Sequence, residues 1–335
     1  MKIYIVKKLS LTAVLVFLLL TISVLVYGRA EEKATSDRRG KKEKSPCSVV
    51  EINVQNQPSD TLAYDPMNNV LTSITREKDI YNMSTWQKEN GWSSGVKLWK
   101  VKKNEVLDNF CYSTTGALFA CLKSYKRGQL NKQDIVRLRK NGEIQSLSLI
   151  DLGNASLQRR STSISEITDL QYSGTSLAIT YQYGAVKIYN IAERQALGAE
   201  NITGTSKHSL FYDLHFITVM KNRTSQEVLL QDFDIRSGEI TRSFSLGGNG
   251  QDSSDFHISS YQDELYLLSA KGIFTGPFTE TVLVQQLAYR DLHLPDHHRI
   301  VYWQAARDRT LYIGYQTPDN HFHLRHYAIS AVHPV

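Results

Sequence analysis

Apolar and polar residues alternate in short runs along residues 47–335, and no long stretch shows the 3.6-residue apolar period of a helix. Runs such as Gly184–Asn190, Glu264–Leu268 and Thr310–Tyr315 are rich in β-branched and aromatic residues, which suit the pleated surface of a strand. Turn-forming residues separate the runs. The pattern therefore predicts an all-β domain of many short strands.

Two series of turns repeat along this domain. In the first series, Arg137–Ile144 is echoed by Phe233–Ile240, with Gly142 and Gly238 at the turns. Ala192 and Asn104 are assigned to the same turn in two further units, which gives a period of about 45 residues. The second series consists of strand–turn–strand segments about 30 residues ahead of these turns. Its members are Tyr64–Leu71, Phe110–Leu118, Leu170–Leu177, Ile258–Leu265 and Trp303–Leu311.

Two hairpins per period make a four-stranded unit, and such units are expected to stack side by side as the blades of a β-propeller. First hairpins near residues 64, 110, 170, 211, 256 and 301 predict six blades. A seven-bladed ring stays open as an alternative, because the lengths of segments 124–133 and 153–165 blur the count. The sixth unit ends one strand short after Leu324–Ile329, and Cys47–Val54 is a spare strand. We predict that this N-terminal strand closes the ring and covers an exposed sheet edge.

The segment Ile167–Leu197 resembles a blade of the WD40 family, with Tyr189-Asn190 where that family often has Trp-Asp. The resemblance covers about 30 residues, and elsewhere only the rhythm of the repeat is similar. No Gly-His dipeptide opens a blade. The resemblance therefore implies a divergent β-propeller of WD40-like type.

Residues 1–28 are predicted to be a membrane anchor. The segment Leu9–Tyr27 has no charged residue, and its 19 residues would span about 28 Å as a helix. A cleaved signal peptide is the alternative, with a small-residue site at Gly28-Arg29-Ala30. Residues 29–46 are basic and polar and are predicted to be a flexible linker, followed by the propeller domain over residues 47–335.

The formal net charge is +6, but the positive charge lies outside the predicted ring. Residues 1–44 contain ten Lys or Arg and four Asp or Glu, which accounts for the whole excess. A neutral ring does not favour nucleic acid as a partner. More Lys and Arg follow the apolar segment than precede it, which taken literally favours a cytoplasmic ring. Because long domains translocate largely regardless of charge, we expect the ring on the extracytoplasmic side.

Motifs of common enzymes, phosphate-binding loops and calcium loops are missing from the sequence, and no cofactor is predicted. Seven of the ten His residues lie in the last 43 positions, which suggests a metal site as one hypothesis. The candidate ligands are His297, His298, His321 and His323. Cys111 and Cys121 flank a turn and are candidates for a cross-strand disulfide, with buried free thiols as the alternative.

The sequence thus predicts a membrane-tethered, non-catalytic β-propeller that binds a protein or envelope ligand on the extracytoplasmic side. Two alternatives remain at this point. One is a propeller hydrolase, lactonase or lyase with a metal site in the channel, and the other is a WD40-like scaffold that faces the cytoplasm.

Overall fold

The computed structural model describes residues 47–53, 62–147, 165–182, 184–193, 195–197, 202, 209–222, 224–247, 255–278, 280 and 282–329. The predicted anchor over residues 1–28 and the linker over residues 29–46 lie outside this part of the chain. Among the described residues, none of the helices has the length and apolar content that a membrane span needs.

These residues form six antiparallel sheets, which are the blades. We letter the strands of each blade A to D from the inside of the ring outwards. Blade 1 contains β2 (Leu62–Asp65), β3 (Val70–Glu77), β4 (Ile80–Gln87), β5 (Gly91–Trp92) and β6 (Val96–Lys100). Blade 2 contains β7 (Glu105–Tyr112), β8 (Leu118–Lys126), β9 (Gln129–Leu138) and β10 (Ile144–Ser146). Blade 3 contains β11 (Ile167–Ser173), β12 (Ser176–Tyr181), β13 (Val186–Asn190) and β14 (Gln195–Leu197).

Blade 4 contains β15 (Ser209–Tyr212), β16 (His215–Lys221), β17 (Val228–Asp234) and β18 (Ile240–Gly247). Blade 5 contains β19 (His257–Tyr261), β20 (Glu264–Ser269), β21 (Gly272–Pro277) and β22 (Val284–Ala288), and a short 3-10 helix over Tyr289–Leu292 follows it. Blade 6 contains β23 (Arg299–Ala306), β24 (Thr310–Gln316), β25 (Phe322–Ile329) and the N-terminal strand β1 (Cys47–Ile52), with a 3-10 turn at Arg307–Arg309.

The six A strands close a ring. Strands β2, β7, β11, β15, β19 and β23 contact one another in that order, and β23 contacts β2. This closed circuit confirms the six-bladed prediction and excludes the seven-bladed alternative. The A–B hairpins lie where the second turn series predicted them, and each contains a residue with positive φ, which a tight hairpin needs. These residues are Asn69, Gly116, Gly174, Asp213, Gln262 and Asp308.

Each junction between neighbouring blades has its own hydrophobic cluster, and the strands contribute alternate residues to two clusters. In β20, Leu265 and Leu267 pack towards blade 4, whereas Tyr266 and Leu268 pack towards blade 6. In β12, all six residues are buried for the same reason. The core is therefore a ring of six inter-blade clusters rather than one central mass, and both faces of a blade must be covered.

Strand β1 completes blade 6, as predicted. It pairs antiparallel with β25, and Cys47 lies opposite Ile329 while Ile52 lies opposite Leu324. The Arg325 guanidinium holds the carboxylate of Glu51, with Nε 2.5 Å from Oε2. The closing strand and the last strand are thus joined by main-chain pairing and by an ion pair.

One element of the repeat was assigned wrongly. Gly142, Ala192 and Gly238 lie in C–D turns as predicted, but Asn104 lies in the connection from β6 to β7. The C–D turn of blade 1 is formed by residues 88–90 instead, because β4 continues to Gln87 and its D strand is split into β5 and β6.

Candidate interaction surface

All A–B and C–D turns lie at one end of the ring, because successive strands of each blade are antiparallel. We call this end the A–B face. The B–C turns lie at the opposite end. The A–B face brings together the tips of separate blades, so it can present side chains from distant parts of the sequence to one partner.

Three exposed large apolar side chains lie at the outer rim of the A–B face, on blades 4 and 5. Ile240, Val282 and Val284 are exposed to 49%, 64% and 58%. Ile240 begins the D strand of blade 4, and the two valines lie in the C–D turn and D strand of blade 5. These three are half of the large apolar residues that are exposed in the described part of the chain; the others are Val49, Met67 and Val96 on blades 6 and 1. We call Ile240, Val282 and Val284 the apolar strip. By strand register, Ile240 lies on the side of blade 4 towards blade 3, and Val284 lies on the side of blade 5 towards blade 6.

A buried ion pair within blade 4 lies at the junction between blades 4 and 5. Asp232 is 1% exposed, and its Oδ2 accepts hydrogen bonds from Arg242 Nε at 2.9 Å and Nη2 at 2.5 Å. His215 Nδ1 lies 3.0 Å from the other carboxylate oxygen. Arg242 Nη1 also donates to the carbonyl oxygen of Phe278, in the C–D turn of blade 5. Arg242 therefore ties the D strand of blade 4 to the turn that precedes the valines of the apolar strip.

An aromatic pair supports the same junction from the inside. The rings of Tyr212 and Phe278 stack with centroids 4.2 Å apart and planes 3° from parallel. The Tyr212 hydroxyl donates to the carboxylate of Asp263. Burial, followed by the nearby Asp263, raises the pKa of Tyr212 to about 12. The tyrosine thus stays neutral and joins the A–B turns of two blades.

The turns around the apolar strip are acidic. The A–B and C–D turns of blades 4 and 5 contribute Asp213, Asp234, Glu239, Asp263 and Glu280. Backbone N–H groups of Ser237 and Arg236 donate to Asp234 and lower its pKa, so it is ionised at neutral pH. Arg236 is an exposed base in these turns, whereas Arg242 is paired with Asp232. The apolar strip is therefore bordered by negative charge.

The innermost strands carry a different kind of polar group. Burial raises the pKa of Asp169 to about 7, although hydrogen bonds from Gln171 and from the backbone N–H of Leu170 act in the opposite direction. Gln171 Nε2 donates to Asp169 Oδ2 at 2.8 Å and also to the Ser209 carbonyl oxygen at 2.8 Å. Its Oε1 accepts from the Phe211 backbone N–H at 2.6 Å. Asp169 thus belongs to a hydrogen-bonded clasp between blades 3 and 4.

A buried cation joins blades 2 and 3. Lys123 is 3% exposed, and its Nζ lies 2.7 Å from Asp108 Oδ2 and 2.7 Å from Glu166 Oε1. Burial lowers the pKa of Lys123, but the hydrogen bonds that its ammonium group donates to these two carboxylates outweigh burial and raise the pKa. The lysine is a structural group that holds the segment before β11 against β8.

The four histidines proposed as metal ligands do not converge. His298 is held by the Tyr289 hydroxyl at 2.7 Å and the Pro295 carbonyl oxygen at 2.5 Å. His321 lies 3.3 Å from Asp319, and His323 lies 3.5 Å from Glu51 with its ring stacked on another aromatic residue. His297 is exposed in the connection between β22 and β23. Within the described ranges, no three His, Cys, Asp or Glu side chains are placed to share a metal ion.

The proposed disulfide does not form. Cys111 pairs across the sheet with Phe119, and Cys121 pairs with Asp108, because a register shift lies between Asp108 and Cys111. Both thiols are free. Burial raises the pKa of both, so they behave as small apolar groups, which was the alternative interpretation.

Sequence reasoning missed the apolar strip. Val284 stands in a strand like any buried valine, and Ile240 follows a glycine turn like other strand residues. Only the packing of neighbouring blades decides which of these side chains stays exposed. The sequence signal that pointed to this part of the ring was the group of carboxylates in predicted turns between residues 213 and 280.

No protein-family model matches the chain, and no curated protein matches its sequence. Similar solved structures include the WD40 domain of coronin from Toxoplasma gondii, with 9% identity, a TM-score of 0.45, and coverage of 86% of this chain and 87% of that chain. The WD40 β-propeller domain of Doa1 has 12% identity, a TM-score of 0.46, and coverage of 84% and 96%. BamB from Moraxella catarrhalis has 8% identity, a TM-score of 0.45, and coverage of 86% and 91%. These values concern the fold alone. By its own strand pairing, the chain is a six-bladed β-propeller, and the solved structures similar to it include WD40 domains.

Proposed function

We propose that this chain is a non-catalytic protein-binding platform, tethered to a membrane by residues 9–27 and displayed on the extracytoplasmic side. The observation that carries the binding role is the apolar strip on the A–B face. A strip of this kind with a polar border is typical of a protein contact. The ion pair between Arg242 and Asp232 supports the proposal, because a rigid surface loses little entropy on binding.

The tether and the orientation rest on the sequence. The uncharged segment Leu9–Tyr27 is long enough for one membrane span, and the polar and basic composition of the residues after it predicts a linker. No observation on the described residues favours a propeller hydrolase, lactonase or lyase.

Site-specific photo-crosslinking tests the binding role. The photoreactive residue p-benzoylphenylalanine replaces Val282 in the full chain, expressed in its own membrane, and the matched control places it at Val96, which is exposed to 53% on blade 1. We expect discrete protein adducts from position 282 that position 96 does not give. The same adducts from both positions, or no adduct from position 282, would contradict the proposal.

Protease treatment of intact cells that carry a C-terminal tag tests the orientation. Digestion of the tag, with the full-length chain recovered in the membrane fraction beforehand, is the expected result. Protection of the tag until the cells are opened would instead place the ring in the cytoplasm and favour the scaffold alternative.

A further inference from the structure

Strand β18 is the outermost strand of blade 4 and the longest outermost strand in the described part of the ring. It has eight residues, whereas β10 and β14 have three each and β22 has five. Within that part, no strand pairs with its outer edge. An edge of this length offers a row of main-chain donors and acceptors to another strand.

The edge also lacks the usual protection against such pairing. Natural edge strands often carry lysine or another charge that discourages a second strand. The exposed positions of β18 after Ile240 are Thr241, Ser243 and Ser245, which are small and uncharged. Its one charged residue, Arg242, is engaged with Asp232 and with carbonyl oxygens of blade 5. By contrast, the D strand β6 of blade 1 carries two exposed lysines.

The surroundings of the edge define the partner. Ile240, the first residue of β18, is exposed to 49%, so it offers an apolar contact to a segment that pairs with this edge. Glu239 precedes the strand, and Glu280 lies in the turn that Arg242 reaches. The charges at this end of β18 therefore complement a basic segment rather than an acidic one.

We infer that β18 binds a partner protein by strand addition, and that the bound segment is extended and basic, with an apolar residue beside Ile240. This inference rests on the proposed function and specifies the partner of the same surface. Main-chain pairing would supply affinity, while Ile240 and the carboxylates would supply register and charge selectivity.

Two synthetic ten-residue peptides test the inference directly on the full-length protein, one alternating lysine with valine and one alternating glutamate with valine. We expect the lysine peptide to bind at least about tenfold more tightly and to weaken as salt rises. Hydrogen exchange should slow in β18 and not in β10 or β14. Equal binding of the two peptides, or protection outside β18, would overturn the inference.

Matched variants separate edge pairing from general folding effects. Ser243→Lys should reduce binding of the lysine peptide at least about tenfold, whereas Ser243→Glu should not reduce it, since an added carboxylate keeps the charge favourable. Ser48→Lys, at an exposed position of the outermost strand β1, is the control and should bind normally. Equal effects of Ser243→Lys and Ser48→Lys would refute the inference.

The same variants distinguish failure of the inference from failure of the proposed function. If position 282 gives its specific adduct and Ser243→Lys leaves the yield unchanged, the binding platform stands and strand addition is wrong. If position 282 gives no specific adduct, the proposed function itself fails. Loss of that adduct in Ser243→Lys but not in Ser243→Glu supports both.

Discussion

Replacing the carboxyl group of Asp169 by the amide of asparagine should stabilise the ring at neutral and alkaline pH. The folded pKa of Asp169 is about 7, and the pKa of an unfolded aspartate is about 3.9. Between these values the folded state keeps a proton that the unfolded state has released, so the stability of the wild type falls as pH rises. The difference of about three pKa units corresponds to about 4 kcal/mol above pH 7. Asparagine carries no charge and avoids this cost.

His326 has the opposite effect on how the stability of the ring changes with pH. It is 5% exposed on β25, with ring centroids 5.5 Å from Trp86 and 5.0 Å from Tyr312. Burial, with a smaller effect from Lys88, lowers its pKa to about 4, against about 6.5 when unfolded. The stability that the neutral, buried His326 contributes is fully present above pH 6.5 and is lost as pH falls towards 4, because the unfolded state then binds a proton that the folded state does not. The slopes from Asp169 and His326 therefore cancel between about pH 4 and 6.5.

Urea unfolding of the wild type, Asp169→Asn and His326→Phe at a series of pH values is the assay. The stability of Asp169→Asn relative to the wild type should rise by about 1.4 kcal/mol per pH unit between pH 4 and 7 and then level off. That of His326→Phe should fall by the same amount per unit between pH 4 and 6.5. Other titrating groups are common to the three proteins and drop out of the differences. A relative stability of Asp169→Asn that does not change with pH, or that is negative at pH 8, would refute the reasoning.

Three further outcomes follow from the packing. Lys123→Met should lower the free energy of unfolding in urea by about 2 kcal/mol, which is less than for a fully buried pair because both carboxylates are partly exposed. Glu166→Gln should lower the same free energy by a smaller amount. Gly272→Ala should prevent folding or lower the free energy of unfolding by more than about 3 kcal/mol, because the added Cβ would lie 2.0 Å from a backbone carbonyl oxygen. At Gly128 an added Cβ would have no atom within 4 Å, so Gly128→Ala should lower it by only about 1 kcal/mol, owing to the positive φ. A circular permutant that joins the end of β25 to β1 by a tight turn should melt no lower than the parent, and a monomer that fails to fold would contradict the observed closure.

The repeat and the closure could be predicted because the turns need particular residues. Gly142 and Gly238 mark C–D turns that recur at blade spacing, and the shortage of one strand after Ile329 required the spare strand at Cys47. The disulfide prediction failed because a register shift in β7, where Asn109 has a positive φ, places Cys111 opposite Phe119 and Cys121 opposite Asp108. The apolar strip could not be predicted, since exposure of Val284 depends on which blade lies beside it.

Closure by β1 has a consequence for how the protein is made. Glu51 on β1 meets Arg325 on β25 across 274 positions of sequence, so the first strand of the described ring pairs with its last strand. At about 5–20 residues per second, β1 must wait on the order of 15–60 s without its partner. During that interval the ring has an open blade and an uncovered sheet edge, and contacts this distant in sequence form slowly. The yield of native protein should therefore depend on what protects the growing chain until β25 has been synthesised, more than on the stability of the finished ring.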